Sequence, residues 1–110
     1  MTILEAFRAL ARVGYAPART VEFHWYAAEE DGLLGSLDVV KAYKSLGKSI
    51  AAMNQYDMTA WVANGTDEAI GVVSSDVDIG LMALNVQLVN EYLDVPSVVF
   101  RFPKNAGSDQ

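Results

Sequence analysis

An apolar run that stops abruptly at two adjacent acids constrains this chain most. Residues 20–28, TVEFHWYAA, are rich in β-branched and aromatic types and read as a mostly buried strand. Glu29 and Glu30 follow at once, and DGLLGS, with two glycines, comes straight after them. A surface helix would scatter its acids. Here a strand leaves a core and delivers a carboxylate pair at its carboxyl end.

The remaining pattern alternates between helical and extended periods. Residues 2–13 read as a helix, with Thr2 and Glu5 spaced for a capping box and Ile3, Phe7 and Leu10 on one face. Gly14 and Pro17 break it. A helix is expected over 37–46, ended by Gly47, and SIAAMNQYDM reads as a second buried strand over 49–57. The polar turn ANGTDEA precedes a short strand near 70–73. Val77, Leu81, Leu84, Leu88 and Tyr92 recur at helical spacing, and SVVFRF after Pro96 reads as a last strand. This order predicts an α/β fold with a mostly parallel sheet and helices on its faces.

Charge narrows the partners. With 14 acids against 8 scattered bases, the formal charge of −6 speaks against nucleic acid, which needs clustered Lys and Arg. It suits cationic ligands, a metal or an amine. No apolar run approaches the roughly 20 residues of a membrane helix. The absence of cysteine removes disulfides and thiolate metal sites. Glu5, Arg8 and Arg12 interrupt the apolar core that a signal peptide would need.

In an open parallel sheet, ligands bind beyond the carboxyl ends of the strands. Glu29 and Glu30 lie at that end of the first strand and Asp57 at that end of the second. Glu30 and Asp57 are about one βαβ unit apart, roughly 30 residues, so three carboxylates are expected on one rim. They would repel one another unless a cation or a shared proton intervened. Acids at strand ends are also often plain solvated turn residues, and spacing alone does not separate the two readings. A retaining glycosidase pair fits poorly, because neighbours on an extended chain point in opposite directions. His24 is no partner for them. It lies roughly 20 Å from Glu30 along an extended strand and reads as a histidine packed under a helix.

TVEFHWYAAEEDGLLGS (20–36), MNQYDMT (53–59) and TILEAFRAL (2–10) resemble segments of the di-zinc leucyl aminopeptidases of bacteria and fungi. The similarity is nearest to the secreted fungal leucine aminopeptidases. It covers about residues 2–96, and the tail 97–110 diverges, so the chain reads as a partial peptidase domain over 1–110. The resemblance implies part of a three-layer zinc-exopeptidase sandwich. It implies that Glu29 is the general base, that Glu30 and Asp57 each ligate one of two zinc ions, and that Met58 and Val73 line the pocket for the N-terminal side chain. The implied substrate is a peptide with a free N-terminus, cut after large apolar residues. The family uses five zinc ligands, of which two fall in this sequence. A non-catalytic truncated domain serving as a structural or interaction module is the alternative. The family is mostly secreted, but with no signal peptide in the chain its location stays open.

Overall fold

The computed structural model describes residues 2–104 and 106–109. They form three helices and two strands: α1 (Thr2–Arg12), α2 (Leu34–Ser45), β1 (Ile70–Val73), α3 (Ile79–Tyr92) and β2 (Ser97–Phe100). The chain divides into two compact units. The first holds residues up to 49 with 55–59 and Asp109; the second holds 50–54 and 60–108. No described helix is long and apolar enough to cross a membrane.

In the first unit, both helices end where the sequence supplies glycine. Gly14 and Gly47 adopt φ of 63° and 61°, a conformation that costs a residue with a Cβ but not glycine. After each, the chain turns back on the last carbonyls. Tyr15 N–H donates to Leu10 O (3.0 Å) and Gly14 N–H to Ala11 O (3.2 Å). Lys48 N–H and Gly47 N–H do the same with Tyr43 O and Lys44 O. Both are Schellman closures. The expected capping box of α1 does not form: Thr2 donates to Thr59 (2.7 Å), and Glu5 pairs with Arg8 (2.7 Å). The apolar face of α1 meets the chain that follows it, with Phe7 edge-on to Phe23 at 5.4 Å.

Residues 20–28 are not a strand, and neither are 49–57. The strands and α2 crossover expected there are therefore corrected. β-propensity describes fit to a pleated surface, and a strand exists only where a neighbour takes up its N–H and C=O groups. No described residues supply that neighbour. Side chains tie 20–28 to α2 instead. Glu22 accepts hydrogen bonds from Tyr43 OH and Lys48 Nζ (3.0 Å), and His24 Nε2 lies 3.1 Å from the same carboxylate. Lys48 Nζ also stands 4.0 Å from the centre of the Tyr43 ring.

These donors, Tyr43 first and then Lys48 and His24, hold the Glu22 carboxyl down to about 2. The sign follows. A depressed carboxylate stabilises the fold above its ordinary value near 4.5 and loses that contribution as pH falls towards about 2. An NMR titration of the Glu22 carboxyl should show a midpoint near 2 and acid release of the Tyr43 ring in the same window. Glu22→Gln should abolish the release. A midpoint at the ordinary carboxylate value would show that the tie does not hold in solution.

In the second unit the strands expected near 70–73 and after Pro96 form, and with the helix between them they make a βαβ element. β1 and β2 pair in parallel, Ile70 opposite Ser97 through Val73 opposite Phe100, with α3 as the crossover. α3 starts at Ile79 rather than Val77, because the Asp78 carboxylate accepts from Leu81 N–H (2.8 Å) and caps it. The α/β class holds, with a two-stranded parallel sheet among the described residues; the expected part of a three-layer sandwich does not extend beyond it. Val72 of β1 is the buried apolar residue among those described, whereas Trp25, Ile50 and Trp61 stand about 60% exposed.

Candidate functional site

Residues 27–35 form a closed loop whose ends are hydrogen-bonded. Gly35 N–H donates to Ala27 O (3.1 Å) and Leu34 N–H to Ala28 O (3.2 Å). Inside it, Glu29 O accepts from both Gly32 N–H (3.0 Å) and Leu33 N–H (2.9 Å). Closure needs a residue without a side chain at 35. A Cβ there would lie 2.7 Å from Ala27 O and 2.8 Å from Ala27 N. The loop also draws the start of α2 back to Leu34, ahead of the expected residue 37.

The acids are presented from strained backbone. Ala28, directly before Glu29, and Leu33 adopt φ of 58° and 60°. Met58, directly after Asp57, adopts 45°. The left-handed conformation costs roughly 1–2 kcal/mol for a residue with a Cβ. Strain of this kind persists where surrounding structure enforces it.

Electrostatics link the carboxylates. Glu29 is partly buried, and burial raises its pKa first; the charges of Glu30, Asp57 and Asp109 raise it further. Glu30 and Asp57 are exposed, and Asp57 Oδ1 accepts from Met58 N–H at 2.7 Å. Glu29, Glu30, Asp57 and Met58 thus belong to one unit, with Met58 66% exposed. Val73 is partly buried at the carboxyl end of β1, in the other unit. His24 stays with Glu22 and Tyr43, apart from these acids.

Asp109 is the residue that the sequence did not reveal. The buried Ser36 hydroxyl stands between Leu33 O (3.1 Å) and Asp109 Oδ1, and its single proton serves one acceptor at a time. The carboxylate thereby meets the first turn of α2, where Leu33 offers no side-chain cap. It also helps burial raise the Tyr26 hydroxyl. No local pattern marks a contact made so far along the chain.

Carboxylate oxygens suit a divalent cation in kind but fall short in number. Among the described residues no three His, Cys, Asp or Glu side chains are placed to hold a metal ion. A catalytic zinc takes three protein ligands and prefers imidazole among them.

Comparison with known proteins identifies the lineage. Leucine aminopeptidase 1 of Penicillium rubens is 46% identical over 106 residues, covering 89% of this chain and 28% of that protein. The protein of the same name from Phaeosphaeria nodorum is 43% identical over 108 residues, covering 90% and 28%. That from Trichoderma harzianum is 41% identical over 106 residues, covering 89% and 27%. This chain therefore spans about a quarter of the length of these relatives. No solved structure matches it. Peptidase family M28 matches residues 1–92, and the chain belongs to that family.

Proposed function

We propose that this chain carries the general base and two metal-holding carboxylates of a zinc aminopeptidase that removes N-terminal residues, preferably large apolar ones, from peptides. The observation that supports this most is the setting of Glu29. Burial first, and then the charges of Glu30, Asp57 and Asp109, raise its pKa, which is the direction that suits a general base. In this reading Glu29 takes a proton from the attacking water and later gives it to the leaving amine. Glu30 and Asp57 would each hold one of two zinc ions. Bound zinc would polarise the scissile carbonyl and lower the pKa of water. Met58 would line the pocket for the N-terminal side chain.

A second reading, a non-catalytic structural or interaction domain, draws on the large apolar side chains left in water. The two readings separate in a graft. Residues 2–96 of this chain replace the matching segment of the Penicillium rubens protein, and both the graft and the isolated chain are assayed on leucine p-nitroanilide with zinc. Hydrolysis by the graft alone is the expected result. A graft that folds and retains zinc without turnover would favour the second reading.

A further inference from the structure

We propose that Asn64 is a site of spontaneous deamidation, and that the fold leaves it open while protecting the other candidates among the described residues. Asn64 and Gly65 are exposed in a turn over residues 63–66. Thr66 closes it, donating from N–H (3.1 Å) and Oγ1 (2.8 Å) to Ala63 O. Gly65, with φ of 79°, takes the third position of a type II turn. Among the described residues, neither the Asn64 amide nor the Gly65 N–H has a hydrogen-bond partner. A Cβ on Gly65 would meet nothing within 4 Å, so solvent reaches the nucleophile freely.

The chemistry needs only water and base. Gly65 N loses its proton to solvent base and attacks Asn64 Cγ. The N–Cγ bond forms, the Cγ–Nδ2 bond breaks, and ammonia leaves. Water then opens the five-membered imide at either carbonyl, giving aspartate or isoaspartate. One water is consumed and one ammonia released, with no change in oxidation state. The product carries one more negative charge than the formal −6 of the chain. The isoaspartate form also lengthens the backbone inside the turn.

The structure sets this site apart from similar sequences. Asp31 precedes Gly32 and offers the same ring closure, but Gly32 N–H donates to Glu29 O at 3.0 Å. Asn54 and Asn85 are bonded to each other at 2.8 Å, and Asn90 accepts from Ser97 within 2.8 Å. Asn85 and Asn90 also lie inside α3. Each of these three is followed by a residue with a side chain. Asn105 lies outside the described residues. The inference does not depend on peptidase activity.

The test is to age the full chain in mildly alkaline buffer at body temperature, with and without denaturant, and to map peptides by mass and isoaspartate content. In native buffer, the Asn64 peptide should gain about one dalton while the Asp31 peptide keeps normal linkage. In denaturant both should convert. Asn64→Gln should lose the mass gain, and Gly65→Ala should slow it at least about tenfold, because only glycine lets the backbone nitrogen approach freely. Native Asn64 that stays intact while the denatured chain converts would overturn the proposal. So would isoaspartate at Asp31 forming as fast as at Asn64 in native buffer.

Discussion

Glu29→Ala in the grafted aminopeptidase is expected to lower turnover of leucine p-nitroanilide by about 10²–10⁴-fold, the usual contribution of a positioned general base. Zinc content should stay unchanged. Glu30→Ala should lose zinc and activity together. Adjacency makes the contrast sharp, because neighbouring side chains leave the backbone in different directions and take different tasks. Glu29 is the partly buried member, with a pKa raised by burial and by three nearby carboxylates. Glu30 is exposed. Metal analysis beside the kinetics reads both effects. Unchanged turnover in a zinc-loaded Glu29→Ala graft would remove the base from the scheme.

The second large effect is expected at a residue with no functional group. Gly35→Ala places a methyl 2.7 Å from Ala27 O and 2.8 Å from Ala27 N. Both neighbours are backbone, so no side chain can rotate away, and the loop must open. Overpacking of this kind costs typically about 1–3 kcal/mol. The opening also lengthens the Gly35 N–H to Ala27 O bond that closes the loop. Gly47→Ala supplies the comparison. Its φ of 61° strains an added Cβ, but nothing lies within 4 Å of it. That cost is roughly 1–2 kcal/mol and stays at the end of α2. Hydrogen exchange should therefore quicken at the amides of 32–35 in Gly35→Ala and not in Gly47→Ala. Equal exchange in both variants would show that the loop has slack.

The helices were legible because their signals are local. Helical spacing on α1 and α3, and a glycine just past α1 and α2, act within one or two turns. β1 and β2 were legible for a related reason: one crossover helix brings them together. Residues 20–28 and 49–57 carry strand-like composition, yet a ladder is a property of two segments, and composition names only one. At the site, the expected rim of Glu29, Glu30 and Asp57 was argued from two parallel strands that do not form; the charges of Glu30 and Asp57 nonetheless add to burial in raising the pKa of Glu29. Asp109 was illegible. Its contact with Ser36 spans 73 residues of sequence, where periodicity says nothing. Asp78 was a missed local signal, since a carboxylate three residues ahead of Leu81 is an ordinary helix start.

The exposure of Trp25, Ile50, Tyr56 and Trp61 has a consequence in the cell. Quality control recognises exposed apolar side chains rather than sequence identity, and this chain presents them in its folded form. For most proteins only the rare unfolded molecules meet chaperones and proteases, a fraction of about 10⁻³–10⁻⁶. A chain of this length on its own would meet them in its folded form. Its lifetime would then follow how quickly those surfaces are covered, and a substitution that changed their coverage would change abundance before it changed chemistry.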